Sequence, residues 1–201
     1  MHSGKPLRMF IAGLALAATA GAACAGNTDG MEITRIAVPG VGTVPYQQLF
    51  EAVSEPGEAL DAFMLRVAPR LRAYSDATGY EACGVIARND QGQYGVIVGT
   101  NHAHIACVNL SRIVPAGMRA TGETIHSHGG DRAVAASKVD LQLMGKRLAK
   151  MGGTTRAIIT VHGQKLDAFS PADFEGGPGY LAAPEGRLFH QSGKGTTREV
   201  R

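Results

Sequence analysis

One extended segment, which carries two histidines and stops at two glycines, constrains the fold more than any other part of the chain. His126 and His128 are separated by one residue, so their side chains point to the same face of a β-strand. Ile125 fits the alternation of such a strand, and Gly129 and Gly130 end it. A helically spaced apolar run follows a short distance downstream. The sequence therefore predicts a strand, a loop and a helix in succession.

Three segments, including the run downstream of the histidines, have a helical pattern or are compatible with one. Glu58–Tyr74 has apolar residues at helical spacing, and Pro69 predicts a kink or a break inside it. Ser137–Met151, the run downstream of the histidines, has the clearest pattern, and two glycines end it. Tyr46–Val53 is compatible with a short helix.

Extended segments alternate with these helices. Glu81–Ala87 and Tyr94–Val98 flank a turn and predict a hairpin, and His104–Val114 is a further extended segment. Arg156–Val161 and Leu166–Phe169 predict a closing hairpin. The interleaved pattern predicts an α/β (α+β) fold, with one domain built on a mixed, twisted sheet flanked by helices.

The first 25 residues have the pattern of a secretory signal peptide. Lys5 and Arg8 precede a short apolar run, which small residues close as in a cleavage site. The run is too short and too rich in alanine and glycine to favour a membrane anchor. A lipid anchor at Cys24 is disfavoured, since Gly21 stands where such sites usually have leucine. We expect an exported protein, periplasmic or secreted.

The remainder divides by composition into an N-terminal segment (26–55), a domain (56–170) and a Gly/Pro-rich C-terminal tail (171–201), in which His190 is expected at the surface. Without residues 1–25 the chain has 18 Lys+Arg against 17 Asp+Glu, because that segment holds two of the 20 cations and none of the anions. A net charge near +1 gives no electrostatic case for nucleic acid or for a membrane surface.

Two cysteines remain after export, Cys83 and Cys107. In an oxidising compartment they most simply form one disulfide, which contributes ~3–4 kcal/mol in the chain-entropy model. Two separate buried thiols are the weaker alternative there.

Polar residues near the histidines suggest a metal site. His126, His128 and Asp140 are all suitable ligands for a divalent metal of the zinc type. Ser137 and Asp140 also have a simpler explanation, because Ser-x-x-Asp before an apolar run is typical of a helix cap. Asp131 is an alternative third ligand. A second pair of histidines, His102 and His104, lacks a following Ser-x-x-Asp and is interpreted as loop or strand-edge polarity.

The order of these residues resembles the JAMM motif of the JAB/MPN metallopeptidases. That family combines an upstream glutamate, His-[Ser/Thr]-His-Pro and Ser-x-x-Asp. His126-Ser127-His128 and Ser137-Lys138-Val139-Asp140 match in order, and Glu81-Ala82-Cys83-Gly84-Val85 looks like the family's prokaryotic glutamate segment. The resemblance covers about residues 56–170.

The resemblance implies a zinc hydrolase that cleaves an amide or isopeptide bond in a peptide, a protein or a cell-wall-type substrate. His126, His128 and Asp140 would hold Zn²⁺ and leave a fourth position for water. Glu81 would take the proton of that water and pass it to the leaving amine. Ser137 would donate a hydrogen bond to the developing oxyanion.

Several alternatives stay open. Gly129 replaces the family's proline, and the spacer between His128 and Ser137 holds eight residues, one more than is usual in the family. These departures favour, as an alternative, a catalytically inactive binding or scaffold module. A secreted hydrolase of another bond would share the metal site. Glu123 competes with Glu81 as the base but falls on the opposite strand face.

Overall fold

The structure is a computed structural model that describes residues 32–150, 160–161 and 164–201. The expected signal peptide, including Cys24, lies outside these residues. Most of the strand expected at 156–161 lies outside them too, as do the two glycines expected to end the helix at Ser137–Met151. Among the described residues, no helix is long and apolar enough to cross a membrane.

An eight-stranded mixed sheet forms the centre of the described fold. Its strands are β1 (Thr34–Val38), β2 (Gly42–Val53), β3 (Ala82–Arg88), β4 (Tyr94–Thr100), β5 (Arg119–Ser127), β8 (Gly179–Ala182), β9 (Leu188–Gln191) and β10 (Arg198–Val200). They lie side by side in the order β1, β2, β4, β3, β5, β8, β9, β10. Neighbouring strands are antiparallel except β5 and β8, which run parallel. The predicted α/β (α+β) fold with a mixed sheet is thus confirmed.

The long helix α1 (Leu60–Thr78) covers one face of this sheet. Its residues Phe63, Met64 and Leu71 are fully buried and pack with sheet residues such as Ile125. Pro69 lies inside the helix and does not end it. The helix ends at Gly79, which adopts the left-handed conformation and donates its N–H to the carbonyl of Ser75.

The hairpin predicted at Glu81–Val98 forms as β3 and β4, and the helix predicted at Ser137–Met151 forms as α2 (Lys138–Lys150). Two short strands, β6 (Val134–Ala135) and β7 (Thr160–Val161), pair with each other as a separate two-stranded sheet. Residues 101–118, which include the extended segment expected at 104–114, have no strand.

The short helix expected at Tyr46–Val53 does not form, and the prediction is wrong. These residues belong to β2, which pairs along its length with β1 and β4. Leu49 and Phe50 are buried against the sheet core. Pairing with β4, which is distant in sequence, decides the conformation, because β-structure depends more on such neighbours than on local preference.

The C-terminal residues 171–201 are not the tail that their composition predicts. Residues 171–201 form a short helix α3 (Pro171–Glu175), a 3₁₀ turn (Pro184–Gly186) and the strands β8, β9 and β10. Tyr180, Leu181 and Leu188 are almost fully buried. Gly179 lets β8 approach β5, since a Cβ there would lie 2.6 Å from the carbonyl oxygen of Thr124. The apolar residues between the glycines and prolines therefore complete the core.

Candidate metal centre

The pairing of β3 with β5 places four chemically distinctive residues on one sheet face. Cys83 lies opposite His126 in the antiparallel register. Continuing the register two positions brings Glu81 opposite His128. Because opposed residues of an antiparallel pair share a face, all four side chains lie on the face away from α1. Ile125, which lies on the other face, is fully buried in the core.

The two histidines meet an aspartate of α3. The Nε2 atom of His126 lies 3.4 Å from Oδ1 of Asp173, and Nε2 of His128 lies 3.3 Å from Oδ2. One ligand atom from each of the three residues lies within 4.8 Å of the others, so the group could hold a metal ion. The imidazoles are buried, and the Asp173 side chain is 19% exposed.

The backbone fixes which nitrogen of His128 faces the group. Nδ1 of His128 lies 2.7 Å from the carbonyl oxygen of Lys165, so Nδ1 carries the proton and donates it. Nε2 is then the nitrogen that faces Asp173, and when it is protonated it can donate to Oδ2, 3.3 Å away. Loss of that proton would free its lone pair for a metal. A ring N–H bonded to a backbone carbonyl is the usual support of a metal-ligating histidine. Arg72 of α1 holds this segment from behind by donating to the carbonyl oxygens of His128 and Gly129.

Asp173 is oriented by its own helix cap. Ser170 and Asp173 form a capping box, in which the Ser170 N–H donates to Oδ2 of Asp173 and the Asp173 N–H donates to the Ser170 hydroxyl. Burial acts to raise the pKa of the Asp173 carboxyl. The two imidazoles and the Ser170 N–H outweigh that effect and hold the pKa well below its usual range. Asp173 is therefore a carboxylate at neutral pH.

The atoms present fit a zinc-type ion. The two imidazole nitrogens approach different oxygens of Asp173, at 3.4 and 3.3 Å, and one ligand atom from each residue lies within 4.8 Å of the others. Two histidines and an aspartate are suitable ligand types for a divalent metal such as zinc. Within the described part of the chain, Nε2 of His126 is buried and has no hydrogen-bond partner, since the contact with Asp173 lacks hydrogen-bond geometry. Two imidazoles and a carboxylate are the donor set of a catalytic rather than a structural zinc site.

Glu81 lines the same cavity as His126 and Asp173. Its side chain is only 5% exposed. Burial raises the pKa of Glu81 to about 7, against the opposing influence of the nearby His128 charge and a hydrogen bond from Gln164. A carboxyl with this pKa can accept and return a proton near neutral pH.

Asp140 and Ser137, which the sequence placed in the metal site, are engaged elsewhere. Oδ1 of Asp140 accepts from the His104 N–H, and Oδ2 lies 2.7 Å from Nδ1 of His104 and accepts from the Ser137 N–H. The Ser137 hydroxyl accepts from the Asp140 N–H. The structure thus brings His126 and His128 to Asp173 rather than to Asp140, and Asp140 ties α2 to the loop after β4.

The loop after β4 is held against the cleft by a disulfide. Cys83 and Cys107 are bonded with their Cα atoms 5.9 Å apart, as predicted, and this bond is consistent with an exported protein. Cys107 lines the cleft, which has a volume of about 690 Å³ and also contains Glu81, His126 and Asp173. The disulfide therefore joins the loop after β4 covalently to β3, the strand that faces His126.

The other acidic and histidine candidates lie outside the group. Asp131 is exposed. Glu123 is 3.2 Å from His190, whose ring packs against Tyr180, so His190 is a half-buried part of the sheet rather than a surface residue. His102 packs edge-on against a tyrosine.

Asp173 was missed although its signal is in the sequence. Ser170-Pro171-Ala172-Asp173 repeats the Ser-x-x-Asp spacing of Ser137–Asp140. The glycines and prolines around this segment predict a tail rather than a helix start. Comparisons with protein-family models, curated proteins and solved structures find no match for this chain. What the described residues bring together is a buried His126, His128 and Asp173 group that could hold a metal ion.

Proposed function

We propose that this protein is an exported zinc-dependent hydrolase that cleaves an amide or isopeptide bond with an activated water, in the manner of the JAB/MPN metallopeptidases. One observation carries the proposal. The metal-type group of His126, His128 and Asp173 opens into the same cavity as Glu81, whose pKa is about 7. In this arrangement Ser170–Asp173 takes the role that the resemblance gave to Ser137–Asp140.

Each residue has a part that follows from its position. The chemistry that zinc supplies when bound is Lewis acidity, which makes water a nucleophile near neutral pH. Glu81 accepts the proton of the attacking water and returns it to the leaving amine. The Ser170 hydroxyl accepts from the Asp173 N–H, so its own proton is available to donate to the developing oxyanion.

The cleft suits a chain-like substrate. Its volume of about 690 Å³ is bounded by the turn between β1 and β2, by α2 and by the segment 169–179. Gln191 lines it and is buried, with Oε1 lacking a hydrogen-bond partner among the residues described. An unpaired buried acceptor is costly, and a substrate N–H would satisfy it. A peptide, a protein or a cell-wall-type amide has both the chain-like shape and the N–H group.

The test is metal content followed by hydrolysis. We expect one zinc per purified chain, and cleavage of peptides from an internally quenched pool. Glu81→Gln should keep the zinc and lower the rate by about a hundredfold or more, because it removes the proton acceptor. Glu123→Gln, which changes an acid on the opposite sheet face, is the matched control and should retain the wild-type rate.

Two results would contradict this proposal. Zinc that stays bound in a folded His126→Ala variant would refute the site. Hydrolysis that persists in Glu81→Gln would refute the mechanism. Stoichiometric zinc without hydrolysis of any amide would instead favour an inactive binding or scaffold module.

A further inference from the structure

A second, smaller cavity adjoins the metal group on the side of α3. It has a volume of about 360 Å³ and is lined by Phe169, Pro171, Phe174, Glu175 and Lys194. Two aromatic rings and a proline form its walls. The two charged residues have opposite signs, so the cavity presents no net charge that would favour a charged occupant.

The two cavities share one wall. Phe169 lines both of them, and its ring centroid lies 6.0 Å from that of His126 and 5.8 Å from that of Phe174. The two phenylalanines also flank Ser170 and Asp173 in sequence. The apolar cavity therefore lies one aromatic ring away from His126.

Both rings are only partly buried, although aromatic side chains usually gain stability from complete burial. An occupant that covers them would remove this apolar surface from water. Ring pairs prefer edge-on or offset contacts, which Phe169 and Phe174 offer at a tilt of 52° to each other. An aromatic or large aliphatic side chain is the chemistry that fits.

We propose that this cavity, which we call the α3 pocket, binds a large apolar side chain of the substrate residue next to the scissile amide. This inference rests on the proposed hydrolase function, and it adds the substrate class: peptides with an aromatic or large aliphatic residue at that position. The shared Phe169 wall places the side chain beside the bond that His126 and Asp173 face.

Binding to the α3 pocket can be measured separately from catalysis with a tryptophan-containing probe. The chain contains no tryptophan, so it adds no tryptophan fluorescence of its own. The fluorescence anisotropy of N-acetyl-tryptophanamide, titrated with the full chain, reports only the probe. We expect saturable binding that N-acetyl-phenylalaninamide competes away and N-acetyl-glycinamide does not. Phe174→Ala should weaken the affinity about tenfold, and Phe174→Leu should have a smaller effect since it keeps an apolar wall.

Phe189→Ala is the matched control. Phe189 is also half-buried, but it lies on β9 beneath the Arg187 guanidinium, outside the α3 pocket. It should leave probe binding unchanged. Equal affinities of wild type and both Phe174 variants, with folding verified by circular dichroism, would overturn the proposal.

Hydrolysis of a peptide pool by the zinc-loaded chain separates this inference from the function on which it rests. Products enriched in Phe, Tyr, Trp or Leu beside the cleaved bond, with the enrichment lost in Phe174→Ala, support both. Cleavage without such a preference overturns the pocket assignment and leaves the hydrolase intact. No cleavage, with probe binding still lost in Phe174→Ala, refutes the hydrolase and supports an apolar ligand site.

Discussion

Gly129 directly follows the two histidines, and two carbonyl oxygens close the space around its Cα. A Cβ there would lie 2.6 Å from the oxygen of His104 and closer still to that of Gly79. Proline, which the JAMM motif has at this position, would meet the same two atoms. The departure from the motif therefore has a steric reason in this chain, and it does not by itself indicate a lost activity.

Gly129→Ala is expected to destabilise the protein by about 1–3 kcal/mol, because the backbone of the loops must move to admit the methyl group. Urea unfolding of the metal-free protein measures this change. Gly130→Ala is the neighbouring control, since nothing lies within 4 Å of a Cβ at that residue. Equal unfolding midpoints for the two variants would show that the close approach at Gly129 does not exist.

At the scale of elements, two Ser-x-x-Asp segments begin helices, and their surroundings decide their roles. The one before α2 directs Asp140 to His104, where both carboxylate oxygens are occupied. The one before α3 directs Asp173 to the two imidazoles. Spacing cannot distinguish them, because each makes the same cap and only tertiary contacts differ.

Asp173→Asn is expected to reduce zinc affinity by at least tenfold, whereas Asp140→Asn should keep it within about threefold of wild type. The reason is that only the first substitution changes a carboxylate whose two oxygens face the two histidines. Competition with a chromophoric chelator measures both affinities. The isosteric Asp140→Asn change should instead lower the midpoint of unfolding, since a buried charge-assisted bond to His104 is weakened. The reverse order of affinities would restore Asp140 as the ligand.

The sequence predicted the elements whose pattern is local and missed those decided by distant pairing. The β3–β4 hairpin, α2 and the shared face of His126 and His128 follow from turn residues and periodicity. β2 and β8 do not, because each is held by strands far away in sequence. Asp173 was missed for the same reason, since its role depends on a segment that the parallel β5–β8 pairing brings back to the histidines.

For the whole molecule, the C-terminal strands are joined to the start of α1 as well as to the sheet. The Tyr180 hydroxyl of β8 donates to Asp61 of α1, and Arg198 of β10 donates to both carboxylate oxygens of Asp61. Residues 137 positions apart are thus connected through one carboxylate. Gly179 of β8 also lines the cleft, so this contact helps to hold one end of the cleft in place.

Asp61 makes this connection dependent on pH. Burial acts to raise the pKa of Asp61, but the hydrogen bonds from Arg198 and Tyr180 outweigh it and lower the pKa below its ordinary value. A carboxyl whose folded-state pKa is lowered contributes stability above its unfolded pKa, and the contribution is lost as the pH falls through the folded value. Asp61→Asn should therefore cost stability at pH 7 and not at about pH 2.

The expected cost at pH 7 is at most about 1 kcal/mol, because the Asp61 side chain is 38% exposed and solvent screens the pair. Urea unfolding of wild type and Asp61→Asn across this pH range, with a chelator present, measures the difference. Asp90→Asn is the control, since the Asp90–Arg119 pair is highly exposed on both sides and contributes little. If wild type and Asp61→Asn lost stability in parallel as the pH fell, Asp61 would have no role in joining the C-terminal strands to α1.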